Sequence, residues 1–173
     1  TRTMTGAGYG MAVRKRSQCA IVASEKGALA CLIRSVGTQP HRMPHTGIMA
    51  RKGAEGALAA AAISGPDADQ LTRLLERGPV KASVNIQTDT RPNAPSGNVI
   101  AEIPGTDLAD EIVLISCHLD SWDLSPGALD DAAGCGIVVG AAKQIMALDQ
   151  SPRRTIRVVL YGAEEVGLFG ADA

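Results

Sequence analysis

The strongest constraint on the fold is a strand, helix, strand pattern in the last third of the chain. Residues 111–117 form a near-continuous apolar run, typical of a strand buried on both faces of a parallel sheet. Residues 131–149 carry apolar side chains at helical spacing, and residues 155–161 form a second, Val-rich strand. Two strands joined by a helix in this way run parallel with a right-handed crossover. The sequence therefore predicts the α/β class.

The first half of the chain predicts further α and β elements. They are a helix over 18–26 that ends at Gly27, strands over 28–33 and 57–63, and a helix from Pro66 that closes at Gly78. Composition alone leaves 57–63 open between strand and helix, and the Ser-Gly-Pro that follows favours the strand. Alternation over 80–87 predicts a half-exposed strand, paired as a hairpin or adjacent antiparallel partner with 98–103. We expect a domain boundary in this region and place the domains at 1–78 and 79–173.

Composition excludes several functional classes. Seventeen Lys and Arg against eighteen Asp and Glu leave a net charge of −1, so no basic surplus attracts nucleic acid or an anionic membrane. No apolar run approaches the ~20 residues of a membrane-spanning helix. The four cysteines form no Cys-x-x-Cys pair, and we expect small buried apolar residues rather than a thiolate zinc site or a disulfide framework. We interpret both chain ends as cuts within a longer protein.

Residues typical of metal sites follow both predicted strands and stand at the start of the helix between them. They are His118, Asp120, Asp130, Asp131, Glu164 and Glu165. Because ligands bind beyond the carboxyl ends of strands in open parallel sheets, these groups should meet at one sheet edge. Imidazole and carboxylate groups together suit zinc.

The spacing of these residues favours separate roles. His118 and Asp120 are two apart on an extended segment and point the same way, so one can ligate a metal while the other holds the second ring nitrogen. Asp130 stands at a helix N-terminus, where its charge is favoured. Glu164 and Glu165 are adjacent and cannot point alike on an extended chain, which suits a ligand beside a general base.

This arrangement resembles the co-catalytic di-zinc exopeptidases, the family of bacterial aminopeptidases and glutamate carboxypeptidase relatives. The resemblance rests on His118-x-Asp120, on the Asp-Asp segment within 127–134, and on the Glu164-Glu165 pair after a strand. The string 118–123 is most similar to the carboxypeptidase Q branch. The likeness extends from about Gly8 to Gly170 and implies a mostly parallel peptidase sheet, preceded by part of an inserted protease-associated domain.

The resemblance also implies individual roles for the site residues. His118 binds one zinc ion, Glu165 binds the other, and Asp130 bridges the two. Glu164 is the base that activates the shared water, and Asp120 supports His118 from behind.

Three further residues have less specific roles. The resemblance implies that Asp131 shapes the turn beside the bridge through an unusual peptide bond, although a helix N-cap also explains an aspartate there. Trp122 and Asp123 would line the substrate cleft, or Trp122 would cover the flank of the metal site. The implied cofactor is two Zn²⁺, the implied substrate is a peptide, the expected location is secreted or periplasmic, and a homodimer is one assembly that we consider.

The family's pattern needs one more Asp and one more His downstream of this chain. Two protein ligands for each ion fall below the three usual at catalytic zinc sites, so we expect residues 1–173 alone to hydrolyse nothing. The predicted parent is a zinc-dependent exopeptidase acting on dipeptides or short peptides. The alternative is a non-catalytic interaction module with a peptidase fold, against which the joint presence of His118, Asp130, Glu164 and Glu165 argues.

Overall fold

The computed structural model describes residues 8–37, 40–45, 47–50, 58–89, 93–123 and 125–173. The chain divides into two compact units, Thr1–Thr90 and Arg91–Ala173. In the described residues, each unit holds one small β-sheet with helices, which confirms the α/β class. The family domain boundary after residue 78 stays a prediction, because compactness alone does not define where an inserted domain ends.

The first unit is a two-stranded parallel sheet with two helices. Its elements are α1 (Tyr9–Glu25), β1 (Ala30–Arg34), β2 (Ala59–Ile63) and α2 (Gly65–Leu75). The two strands pair in register, with Ala30 opposite Ala59. The buried Ser64 caps α2 by accepting a hydrogen bond from the main-chain N–H of Asp67 at 3.2 Å. Helix α1 begins nine residues before the predicted start, because the basic residues of its first half carry no apolar periodicity.

Two of the cysteines are covalently linked, contrary to the expectation that all four are buried apolar residues. Cys19 of α1 and Cys31 of β1 form a disulfide, with their Cα atoms 6.4 Å apart. The bond forms because α1 lies beside β1, a tertiary contact that a spacing of 12 residues does not reveal. Cys117 is buried and has a free thiol, as expected of a small apolar residue.

The second unit contains the predicted βαβ arrangement. Its elements are β3 (Val99–Ile103), β4 (Leu108–His118), a π-helical turn (Ala128–Ala133), α3 (Gly134–Met146), β5 (Arg154–Tyr161) and α4 (Phe169–Asp172). The strand order is β3-β5-β4. β5 pairs parallel with β4 and antiparallel with β3, so the sheet of the described residues is mixed.

The predicted strand over 80–87 is wrong, and so is its hairpin with residues 98–103. Residues 80–89 adopt no regular structure, and the apolar side chains of that alternating pattern are all exposed. β3 takes its hydrogen bonds from β5 instead. Alternation indicates which residues could share a buried face, but a strand also needs a partner with free edge groups.

Burial differs sharply between the two parallel strands. The side chains of Ile156 and Val158 on β5 are 8% and 5% exposed, because β5 lies between two other strands. Ile112 and Leu114 on β4 are 47% and 50% exposed. The prediction that β4 is buried on both faces is therefore wrong for this chain, where β4 lies at the edge of the described sheet. Across the described ranges, no helix is long and apolar enough to cross a lipid bilayer.

Candidate metal centre

The candidate site is built where β4 and β5 end. The strands are parallel and in register, with His118 opposite Tyr161, so the segments that follow them start at the same edge of the sheet. The main-chain N–H of Leu119 donates to the carbonyl of Tyr161 at 2.7 Å and extends this pairing by one residue. Side chains just beyond both strands are therefore held at fixed positions by the sheet.

Three predicted ligands come together at this edge. His118, Asp130 and Glu165 each offer one ligand atom, and these atoms lie within 4.8 Å of one another. His118 and Glu165 are half-buried, whereas Asp130 is exposed. Asp130 is 12 residues after His118, and Glu165 is 35 residues after Asp130. The three side chains thus meet in one small volume, as the rule for parallel strand ends predicts.

The imidazole of His118 is held by both of its nitrogens. Nδ1 lies 2.9 Å from the main-chain carbonyl of Asp120, and Nε2 lies 2.9 Å from the Oδ1 atom of Asp130. Because a carbonyl only accepts, Nδ1 carries a proton, and Nε2 is the atom available to a metal. The holding oxygen is the main-chain carbonyl of Asp120, whereas its carboxylate is farther away, at 3.6 Å.

Acidic neighbours change the protonation of His118. Burial lowers the pKa of this imidazole, but the Asp130 carboxylate, the Asp120 carbonyl and the nearby Glu164 outweigh burial and raise the pKa above its usual value. The metal-free imidazole therefore keeps its proton to a higher pH than an ordinary histidine. A metal ion at Nε2 must displace that proton.

The carboxylate of Asp120 joins the two strand ends. Its Oδ1 atom accepts the main-chain N–H of Glu164 at 2.9 Å, and its Oδ2 atom accepts that of Glu165 at 3.1 Å. Burial raises the pKa of Asp120, but these two hydrogen bonds outweigh burial and the net pKa is lowered. An ionised Asp120 after β4 thus fixes the loop after β5.

Glu164 and Glu165 follow a turn in the chain, and both carboxylates lie near His118. Ala163 has a φ of 55°, so the chain turns just before the pair. Glu165 belongs to the three-ligand cluster, while the Oε2 atom of Glu164 lies 3.8 Å from Nε2 of His118. Burial raises the pKa of Glu165, and the carboxylates of Asp130 and Glu164 raise it further.

Asp130 and Asp131 lie in the π-helical turn before α3, with non-helical dihedral angles and a cis peptide bond between them. Asp131 Oδ2 accepts the main-chain N–H of His118 at 3.2 Å, and Asp131 Oδ1 accepts that of Gly134 at 3.2 Å. A Cβ atom at position 134 would overlap the Asp131 carboxylate, so a larger residue there would displace that carboxylate. Both oxygens of Asp131 thus accept main-chain N–H groups, whereas Asp130 belongs to the cluster with His118 and Glu165.

Trp122 and Asp123 lie on the loop after β4. Trp122 is half-buried, and the nearness of its indole to Glu165 lowers the pKa of that carboxylate, which partly offsets the rise caused by burial and by the neighbouring carboxylates. Asp123 is exposed. The contact between Trp122 and a ligand side chain was not predicted from the sequence, where the only signal was a tryptophan four residues after His118.

The cluster fits a zinc ion chemically. One imidazole nitrogen and two carboxylate oxygens are donors that zinc accepts. Ligand atoms around a tetrahedral zinc ion are roughly 3.3 Å apart, so small side-chain rotations would close the present cluster. The carboxylates near the imidazole, among them those of Asp130 and Glu164, leave an excess of negative charge. This charge raises the pKa of His118 against the effect of burial and adds to the effect of burial on the pKa of Glu165, and a bound cation would relieve it.

Two sulfur atoms adjoin the centre and were missed by the sequence reasoning. The Sγ atoms of Cys117 and Cys135 lie 2.9 Å apart, and the S–H group of Cys135 donates to the main-chain carbonyl of His118 at 3.0 Å. Burial raises the pKa of Cys117 to about 12. A separation of 18 residues forms no recognisable cysteine motif, so only the packing of α3 against β4 brings the two together.

Comparison with known proteins shows a family whose sequences resemble the region that carries this geometry. Residues 98–173, which contain every site residue described above, match the model of peptidase family M28. This part of the chain is therefore similar in sequence to members of peptidase family M28. The resemblance to di-zinc exopeptidases of the carboxypeptidase Q branch is thereby confirmed at the level of the family.

Relatives extend the likeness beyond the M28 region. The chain is 40% identical to carboxypeptidase Q of Pongo abelii and 39% identical to that of Homo sapiens, in each case over 94% of its length. It spans 35% of the length of either relative.

Two crystal structures are also similar. A peptidase M28 precursor from Shewanella amazonensis SB2B is 48% identical with a TM-score of 0.88, covering 99% of this chain and 39% of that one. A zinc aminopeptidase from Bacillus subtilis shares the fold, with 22% identity, a TM-score of 0.53, and 88% and 34% of the two chains covered.

Proposed function

We propose that this chain is part of a zinc-dependent metallopeptidase, an exopeptidase that hydrolyses dipeptides or short peptides. The observation that carries the proposal is the meeting of His118, Asp130 and Glu165 at the carboxyl ends of two parallel strands, inside the region that matches family M28. The names of the relatives, a carboxypeptidase and an aminopeptidase, support exopeptidase activity at either terminus.

In this proposal the site holds two zinc ions. His118 would hold one ion through Nε2, Glu165 would hold the other, and the exposed carboxylate of Asp130 would contribute to both. Bound zinc lowers the pKa of a water molecule and polarises the scissile carbonyl. Asp120 and Asp131 do not ligate, because their carboxylates are occupied by main-chain N–H groups.

Glu164 is the proposed general base. Its carboxylate lies 3.8 Å from Nε2 of His118, next to the ligand cluster but outside it, and its main chain is fixed by Asp120. From this position Glu164 accepts the proton of the attacking water and delivers it to the amine that leaves. Trp122, whose indole lies near Glu165, flanks the cleft together with Asp123 in this proposal.

The wider organisation follows from the same resemblance. In the proposal, residues 1–78 are part of an inserted protease-associated domain, and residues 79–173 are the start of a peptidase domain with a mostly parallel sheet. Secretion or a periplasmic location is supported by the Cys19–Cys31 disulfide, since such bonds persist in oxidising compartments. Peptides are the proposed substrates and a homodimer is the proposed assembly.

The proposal is tested by peptide hydrolysis with the full-length protein. A chelator should abolish activity and added zinc should restore it. Glu164→Gln should lower kcat by about 10²- to 10⁴-fold, the usual contribution of a general base, while the zinc content stays unchanged. Glu76→Gln, an exposed glutamate at the end of α2, is the matched control and should leave kcat as it is.

Hydrolysis that resists the chelator, or full activity in Glu164→Gln, would contradict the proposal. A folded protein that binds no zinc would instead favour the non-catalytic interaction module. Residues 1–173 alone supply only two ligands to each proposed ion, so this segment should show no hydrolysis by itself.

A further inference from the structure

The two free thiols beside the candidate centre are almost at bonding distance. Cys117, the last residue but one of β4, is buried, and Cys135, the second residue of α3, is half-buried. Their Sγ atoms lie 2.9 Å apart. A disulfide has an S–S distance of about 2.05 Å, so the two sulfurs need to approach by about 0.9 Å.

The disulfide in the other compact unit points to an oxidising environment. Cys19 and Cys31, in the other compact unit, already form a disulfide. Structural disulfides persist in oxidising compartments and are rare where thiols are kept reduced. We propose that Cys117 and Cys135 form a second disulfide, a covalent cross-link between the end of β4 and the start of α3 beside the metal centre.

The oxidant in this proposal is a low-molecular-weight disulfide such as oxidised glutathione. Cys135, the more accessible residue, attacks it as a thiolate, forms a mixed disulfide and releases one thiol. Cys117 then attacks the Cys135 sulfur and releases the second thiol. Two protein thiols are oxidised to one disulfide, and one small disulfide is reduced to two thiols. The burial of Cys117 makes the second step slow without changing its products.

The cross-link would close the segment that carries most of the site. His118, Asp120, Asp130 and Asp131 all lie between the two cysteines. The bond also removes the S–H group that Cys135 donates to the carbonyl of His118, so a covalent tie replaces a hydrogen bond. Closing a loop of this length shifts the folding equilibrium towards the native state by roughly a hundredfold in the chain-entropy model.

The test is peptide mapping of the protein purified without reductant and incubated with oxidised glutathione. We expect a linked peptide containing Cys117 and Cys135, lighter by about 2 Da than the sum of its two reduced parts. Cys135→Ser keeps a hydroxyl near the His118 carbonyl and cannot link, and Cys117→Ala is the second unlinkable variant. In denaturant titration, the oxidised protein should show a folded-to-unfolded ratio roughly a hundredfold above that of either variant.

The Cys19–Cys31 bond is an internal control for the oxidising conditions. Two free thiols at 117 and 135, or glutathione held on Cys135 with no further exchange, would overturn the proposal. The mass measurement alone decides this even if a variant fails to fold. Because it requires neither zinc nor peptide hydrolysis, its outcome is independent of the proposed peptidase function.

Discussion

β4 and β5 are neighbouring parallel strands of similar apolar composition, yet their surroundings differ. β5 lies between two strands and is largely buried, whereas β4 lies at the edge of the described sheet with most of its side chains exposed. Both strands nevertheless end at the same edge, where the candidate ligands His118 and Glu165 lie. Apolar composition therefore predicts that a segment is a strand, while its place in the sheet determines how much of it is buried.

Truncation of one isoleucine on each strand tests this difference most directly. Ile156→Ala on β5 should lower the free energy of unfolding by about 3 kcal/mol, because a buried side chain is replaced by a cavity. Ile112→Ala on β4 should cost about 1 kcal/mol or less, since half of that side chain already contacts water. Denaturant midpoints at unchanged m-values measure both.

Equal losses of unfolding free energy for the two variants would contradict the difference in burial between β4 and β5. They would mean that β4 is covered in solution by something that the described residues do not supply. A smaller loss for Ile156→Ala than for Ile112→Ala would contradict the assignment of β5 as the central strand.

The elements of this sheet and the parallel pair of β4 and β5 were largely predictable, whereas the partner of β3 was not. The apolar runs at β4 and β5 and the helical spacing of α3 follow from local pattern, as does their parallel arrangement. The partner of β3 did not follow: residues 80–87 alternate as a strand would, yet β5 occupies that place. Pairing depends on which edge remains free after the rest of the sheet has formed.

The Asp120 carboxylate, which joins the ends of β4 and β5 through two hydrogen bonds, is the next position to test. Asp120→Asn replaces one accepting oxygen by an amide that can only donate, so one of the two N–H groups of Glu164 and Glu165 loses its partner. Zinc affinity should fall by about 10- to 100-fold, the usual cost of losing a residue that orients ligands. Calorimetric titration with zinc measures it, and Asp110→Asn, an exposed aspartate on β4, is the control. Unchanged affinity would show that the strand ends hold their positions without Asp120.

Lowering the pH should weaken zinc binding by the residues at the two strand ends. His118 after β4 and Glu165 after β5 both have raised pKa values in the metal-free protein, so both retain protons that zinc must displace. Zinc affinity should therefore fall as the pH is lowered through the pKa of His118, by about tenfold for each pH unit, and more steeply once Glu165 also protonates. Zinc titrations at several pH values measure the slope.

His41→Ala, in the other unit, should leave this pH profile unchanged. A zinc affinity that does not change with pH below the ordinary pKa of histidine would show that zinc displaces no proton from His118.

The site was predictable as a set of residues but not in its details. The positions after β4 and β5 follow from the rule for strand ends. Which oxygen of Asp120 holds His118 did not follow, because the carbonyl and the carboxylate of one residue are equally near in sequence. The meeting of Cys117 with Cys135 and that of Trp122 with Glu165 depend on tertiary packing, for which the chain carries no local signal.

The two hydrogen bonds that Asp120 accepts from the main chain have a consequence for protein engineering. Asp120 holds positions 164 and 165 by their amide hydrogens, which every residue except proline possesses. New side chains can therefore be introduced at both positions while the backbone keeps its path. A library at these two sites would vary metal preference and proton transfer on an unchanged scaffold.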